Sequence, residues 1–412
     1  LSSQKLNQLF GGTEMHTLYK GAMIFAAQQG QFIENGALLV NKDTIEEMDP
    51  VQDVKYPPET KVVDLSGKWI IPGLLDCHVH LDLHGMADTY QENLVEDKLR
   101  TLRVACEAEA TLKAGFTTVR NIGSVNGIDF ALKQGIEAGY CQGPRLVTAG
   151  RIISMTCSGT EYFDGMYRIA DGPDECRKAA REQLKEGADF LKLMATGAVM
   201  NPGGVPGAAQ LGVNEIRAVV EEGLKLGKHT AAHAHGAQGV KNAVLAGVRT
   251  IEHGTMADGE ALEAMAEAGV FLIPTMALHT QFEDHARDIP EFMLQKSRLM
   301  EDDYKGIVLR AKALGVEIAM GTDAGTNYNY HGNNAAEIVY LVDNEIMSPS
   351  EALICATLNA ARAIQVDHEV GSLEPGKLAD FVVLSSDPLK DIRVLADKEK
   401  IEAVYKGGER VL

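Results

Sequence analysis

The sequence predicts an α/β fold: a (β/α)8 TIM barrel with a small β-sandwich domain formed by both chain termini. Three observations carry that reading. Across residues 71–345, short apolar or β-branched runs alternate with amphipathic helical segments, and eight such runs can be counted once the one at 70–80 is included. The helical segments repeatedly end in glycine, at Gly115, Gly139, Gly187, Gly227, Gly247, Gly269 and Gly315. A residue without Cβ suits the left-handed position just past a helix end. Residues 16–69 and 367–412 share a different texture of short strands and turns. Eight βα units in series point to a parallel barrel, with a doubly wound open sheet as the rival.

In chain order, FIENGALLV (32–40) and KVVDL (61–65) read as strands of the small domain, with a turn signal at Glu34-Asn35-Gly36. The barrel is expected over 70–366. Its strands are IIPGLLDCHVH (70–80), FTTVRNI (116–122), PRLVTAG (144–150), DFLKLMATG (189–197), KHTAAHAHG (228–236), VRTIEHG (248–254), VFLIPTM (270–276) and VEIAMGTDAG (316–325). The longest connections, 82–95, 151–173 and 198–213, follow strand C-termini, where a barrel builds its active site. Residues 349–366 read as a returning helix. GSLEPGKLADFVVL and IEAVYKGGERVL, within 367–412, complete the small domain.

Composition narrows the function. The 412 residues are 45% hydrophobic and 24% charged, ordinary for a soluble globular protein. No apolar run is long enough to span a membrane. The net charge of −19 argues against nucleic acid and anionic membranes as partners. A small-molecule substrate remains. The six cysteines (77, 106, 141, 157, 176, 355) have no C-x-x-C spacing and read as reduced, mostly buried thiols of a cytoplasmic protein. No signal peptide is legible. Residues 1–14 read as a leader or expression remnant ahead of Met15.

His78-Val79-His80 ends the first barrel strand. Side chains at i and i+2 share a strand face, so both imidazoles point one way, and neutral imidazole is a common zinc ligand. Lys192 interrupts an apolar run in strand four. His233 and His235 end strand five, His253 ends strand six, and Asp323 ends strand eight. Each alone has a plainer reading: a satisfied histidine, a turn aspartate, a lysine snorkelling to water. Together they converge on one rim and supply ligands enough for two metals. Pattern alone does not choose between His233 and His235.

The ordered set IIPGLLDCHVH, GADFLKLMATG, AAHAHG, TIEHG, GTDAG and GSLEPGKLADFVVL resembles the amidohydrolase superfamily. The closest likeness is to its binuclear members in the prolidase-like and imidazolonepropionase-like group. The resemblance covers nearly the whole chain. It implies two divalent metal ions, zinc foremost. His78, His80 and Asp323 would hold one and His233 and His253 the other. Lys192 would be carboxylated to bridge them. It favours His233 as the strand-five ligand and leaves His235 to polarise a carbonyl or bind a carboxylate. It also implies self-association as a homo-oligomer.

The resulting expectation is a metal-dependent hydrolase. A metal-bridging hydroxide would attack an amide carbonyl in a small amino-acid derivative, a dipeptide or an N-acyl amino acid. Asp323 would carry the proton to the leaving nitrogen. The alternatives are hydrolysis of a cyclic amide, lactone or C=N bond, and a non-enzymatic scaffold, against which the filled ligand positions argue. For substrate contacts, Arg168 beside Tyr167, and His331, are candidates alongside His235. Arg168 reads equally as a solvated loop residue. NPGGVPGAA (201–209) lacks the P-loop pattern and reads as a pocket-shaping loop. Many prolidase-like relatives carry Gly-Gly-His after strand three. Here that stretch is Met155–Glu161 without histidine, which leaves room for a different substrate. Cys157 there is a candidate pocket residue or, more plainly, a structural thiol.

Overall fold

The computed structural model describes residues 16–412, and of Lys305 the backbone only. Residues 1–14 and Met15, read above as a leader and a start, lie outside the described residues. The strands are β1 (His16–Ala26), β2 (Gln31–Asn41), β3 (Thr44–Pro50), β4 (Lys61–Asp64), β5 (Trp69–Pro72), β6 (Leu74–Val79), β7 (Phe116–Asn121), β8 (Arg145–Thr148) and β9 (Ile152–Ser154). They continue with β10 (Tyr167–Ile169), β11 (Leu191–Met194), β12 (Thr230–Gly236), β13 (Thr250–Met256), β14 (Phe271–Ile273), β15 (Phe381–Leu384), β16 (Ile401–Lys406) and β17 (Glu409–Arg410).

β1–β5 and β15–β17, from the two ends of the chain, form one eight-stranded sheet in the order β17-β16-β15-β5-β1-β2-β3, with β4 also on β1. The sequence predicted a sandwich; the sheet does fold back on itself, with the rings of Tyr19 in β1 and Tyr405 in β16 5.1 Å apart, and its strands hydrogen-bond as one continuous ladder. β1 is the reason. Along one edge it pairs first with β4 through Thr17–Lys20 and then with β5 through Met23–Ile24, while β2 runs along the other. Register shifts at Lys20/Ala22 and Ala22/Ile24 bend that ladder without ending it. Glu34-Asn35-Gly36 lies inside β2, where Asn35 takes a φ of 47°. The signal marks an irregularity in a strand, not a chain reversal.

The remaining strands are parallel and alternate with helices in a TIM-barrel-like arrangement. They form a three-stranded sheet, β6-β7-β8, and a six-stranded sheet, β10-β9-β11-β12-β13-β14. The segment predicted as strand eight, 316–325, joins them by single bridges, Leu272 with Ile318 and Val79 with Ala324. Its backbone bonds both ways: Leu272 N donates to Glu317 O at 3.0 Å, and Cys77 N to Met320 O at 2.9 Å. On the other side, Asp189 N donates to Thr148 O at 2.7 Å. The sheets therefore meet at bridges and do not form one continuous ladder.

The predicted helix-ending glycines, Gly115 to Gly315, all have positive φ, as a left-handed exit requires. The returning helix is present and runs on through a π-helical turn: Pro349–Ile354, Cys355–Asn359 and Ala360–Ala363. The connection 151–173, read as loop, contains β9 and β10. Leu75, Cys77, Ile122, Val147, Phe190, Ala231 and Ile273 pack on the inner face of the parallel strands. A larger core fills the space between strands and helices. None of the six cysteines is paired, and three are buried. Among the described residues no helix is long and apolar enough to cross a membrane.

Candidate metal centre

The C-terminal ends of β6, β11, β12, β13 and the 316–325 segment point into one cleft lined by His78, His80, Lys192, His233, His235, His253 and Asp323. All seven are buried. His78, His80 and Asp323 form one group, and His233, His235 and His253 another. In each, the candidate ligand atoms lie within 4.8 Å of one another. Asp323 Oδ1 is 3.3 Å from His78 Nε2 and 3.5 Å from His80 Nε2. The His78 and His253 ring centres are 4.9 Å apart, so the two groups adjoin.

The imidazoles are fixed from behind. His78 Nδ1 lies 2.9 Å from Glu252 Oε2, His80 Nδ1 3.0 Å from Gly123 O, His235 Nδ1 3.1 Å from Thr255 Oγ1 and His253 Nδ1 2.8 Å from Thr275 Oγ1. In all four, Nε2 is left to the cleft. His233 is held the other way round, its Nε2 3.3 Å from Gly197 O, which leaves Nδ1. Such outer contacts set the tautomer and aim of metal-binding imidazoles. Glu252 is itself held by Arg120, whose Nη2 is 2.8 Å from Glu252 Oε1, with both side chains fully buried. Arg120 Nε donates to Cys77 O at 2.6 Å, below the His78 strand.

The backbone is strained at the same place. His253, Thr275 and Asp323 have φ of 69°, 50° and 60°, a region that costs a non-glycine residue about 1–3 kcal/mol and that clusters at functional sites.

Burial dominates the electrostatics. It lowers the pKa of His80 and His235 to about 4 and holds His233 and His253 well below the ordinary imidazole value. All four are neutral at physiological pH, as ligands must be. Burial opposes charge on His78 too, but Asp323 and Glu252 outweigh it and raise its pKa. Burial lowers Lys192 to about 8. Asp323 is held below the usual carboxylate range because His78, His80 and Lys192 outweigh its burial.

The donor set fits divalent cations. Asp323 Oδ1 is buried without a hydrogen-bond donor and faces two imidazoles, an arrangement a cation would complete. The two ligand groups provide for two ions. The structure brings together every residue predicted as a metal ligand. Both His233 and His235 reach the cluster.

The substrate candidates divide. Tyr167 lines the cleft. Arg168 does not: its Nε donates to Glu182 Oε2 at 2.5 Å on the helix Gly172–Glu186, and its Nη1 bonds Ile169 O. A strand residue beside Tyr167 must point the other way. His331 is buried beneath the first connection, its Nε2 3.2 Å from His80 O and 3.1 Å from Leu83 O. It supports that connection and does not line the cleft. Cys157 is half-buried outside the lining. Sequence reasoning missed Arg120, Glu252, Thr255, Thr275 and Tyr304. A signal existed for the first two: each is a charged residue within a predicted barrel strand, Arg120 in FTTVRNI and Glu252 in VRTIEHG.

A family model described as the amidohydrolase family matches residues 69–411. Ochratoxinase of Aspergillus niger is 28% identical over 95% of this chain and 85% of its own length. The imidazolonepropionase of Symbiobacterium thermophilum is 28% identical over 86% of this chain and 84% of its own. The crystal structure of a Xaa-Pro dipeptidase with methionine bound in its active site superposes with a TM-score of 0.88 at 31% identity, covering 96% of this chain and 99% of that one.

Proposed function

The chain belongs to the amidohydrolase family, in its prolidase-like and imidazolonepropionase-like group, and from that premise we propose that it cleaves an amide C–N bond in a small amino-acid derivative, a dipeptide or an N-acyl amino acid. Family membership makes it a hydrolase acting on carbon–nitrogen bonds and implies metal dependence. The observation that carries the finer reading is the pair of adjoining ligand groups in one buried cleft, with Lys192 in the same wall.

In this reading His78, His80 and Asp323 would hold one divalent ion, zinc foremost, and His233 and His253 the other. Lys192, with its pKa lowered by burial, has a neutral amine available for carboxylation by carbon dioxide and would then offer oxygen ligands to the ions. Two bound divalent ions supply a water of lowered pKa and a Lewis acid for the carbonyl. Asp323 would relay a proton from the attacking water to the leaving nitrogen. His235, anchored through Thr255, directs a ring nitrogen at the carbonyl oxygen and stabilises its developing charge. The parallel segments are taken as one closed (β/α)8 barrel over 70–366, flanked by 16–69 and 367–412, in a cytoplasmic homo-oligomer. The likeness to imidazolonepropionase favours ring-opening of a cyclic amide as the second reading.

The test is metal analysis combined with a screen of dipeptides and N-acyl amino acids for release of free amine. About two metal ions per chain with release from a subset is the expected result. Two metals and no release would move the assignment to cyclic amides or lactones. No stoichiometric metal would overturn the binuclear reading.

A further inference from the structure

The hydrolytic chemistry leaves one part of the cleft unused, its apolar wall. Phe163, Met166, Met194, Met200, Leu278 and Phe282 line it. Aromatic rings give the wall flat, polarizable faces, and methionine thioethers adapt to irregular apolar shapes.

The charges absent from that wall are as informative. Among the described lining residues the one cationic side chain is Lys192 and the one carboxylate is Asp323, and both belong to the metal centre. Glu252 is sealed behind His78, and Arg168 is bonded to Glu182. A dipeptide brings a free ammonium on the carbon next to the scissile carbonyl. In this cleft that charge would lose its water, meet no free anion and stand beside two divalent cations. A buried charge without a partner is strongly disfavoured. An uncharged apolar group in the same place loses nothing and gains burial.

Resting on the amide-hydrolase reading above, we propose that the cleft selects N-acyl amino acids whose acyl part carries a bulky, uncharged, apolar group of about the size of a phenyl ring, and that it discriminates against free dipeptides. The acyl group occupies the methionine and phenylalanine wall. The amino-acid half meets the polar part of the same lining, Tyr167, Ser297 and Tyr304, of which Ser297 Oγ is already 3.0 Å from His279 Nδ1.

A matched set of substrates tests this on the zinc-reconstituted protein: 3-phenylpropanoyl-leucine, phenylalanyl-leucine and acetyl-leucine. The first two differ only in the α-ammonium, and the first and third only in apolar bulk. The expected kcat/KM for the phenylpropanoyl compound is roughly 100-fold above acetyl-leucine and at least about 10-fold above the dipeptide. Phe282→Leu should narrow the phenylpropanoyl-to-acetyl ratio by about 10-fold. A dipeptide cleaved as fast as its deamino partner, an acetyl compound cleaved as fast as the phenylpropanoyl one, or a ratio unmoved by Phe282→Leu would each overturn the inference while leaving amide hydrolysis standing. Three inert compounds on protein with two zinc ions bound would overturn this inference, and the amide-hydrolase reading falls with it where the wider screen of dipeptides and N-acyl amino acids also releases no amine.

Discussion

At the scale of single residues, the centre depends as much on what stands behind the ligands as on the ligands. Glu252 ties His78 to Arg120, and its pKa falls to about 2 because the Arg120 and His78 charges outweigh its burial. Glu252→Gln should keep the shape of that contact and remove its charge. The expected result is metal affinity about 10–100-fold weaker, read by competition with a chelator. Arg120 would be left without its anion, so a loss of about 3–5 kcal/mol in stability should accompany it; unchanged metal affinity would show that His78 needs no carboxylate behind it. Asp323→Asn is the contrasting case. Asparagine tolerates the left-handed backbone that Asp323 adopts, and Asp323 Oδ1 accepts no protein hydrogen bond. Folding should therefore survive while kcat falls by orders of magnitude. Near-normal turnover would remove Asp323 from the proton path. The ligand positions were legible in the sequence because strand periodicity put them on one rim. Their supports were not, because Thr255, Thr275 and Gly123 are ordinary residues until the fold places them next to an imidazole.

At the scale of elements, the sequence was most legible where local chemistry dictates conformation and least where long-range pairing does. The glycines that close the helices are of the first kind. The single terminal sheet is of the second: its continuity depends on β1 pairing with two different strands along one edge, which no local pattern encodes. The connection after β8 is another such case, since β9 and β10 exist through pairing with each other and with β11. That pairing turns Arg168 outward onto Glu182. The resulting ion pair is partly exposed, 22% and 32% by side chain, and pairs of that kind contribute at most about 1 kcal/mol. Arg168→Ala should lower the melting temperature slightly and leave kcat/KM within about twofold of the parent. A loss of 10-fold or more would mean that the guanidinium reaches the substrate after all.

At the scale of the whole molecule, β12 carries histidines at both of its ends, and their environments make a further prediction. His233 and His235 end the strand at the cleft. His229 precedes it at the opposite pole, buried and stacked on Phe190 at 5.3 Å, with Nδ1 3.2 Å from Gln365 Oε1. Burial first, and then the charge of Arg120, depress its pKa to about 3. The folded value lies below the ordinary imidazole value near 6.5. Between those two values the unfolded chain therefore binds the proton and the folded chain does not. The stability linked to this group is intact above about pH 6.5 and is lost as pH falls toward about 3, by an amount on the order of a few kcal/mol. His80 and His235 add to the same slope when the centre is metal-free. With metal bound, competition between protons and metal for the imidazoles adds a second source of acid sensitivity. Melting temperatures of the chelator-treated protein at pH 6.5 and pH 4, for the parent and for His229→Gln, separate the two ends of the strand. The parent should melt at a lower temperature at pH 4 than at pH 6.5, and the variant should show a smaller difference. Restoring zinc at pH 6.5 should raise the melting temperature of both proteins alike, because ions that bind only the folded state stabilise it and His229 takes no part in holding them. Equal acid sensitivity in the two proteins would remove His229 from the slope.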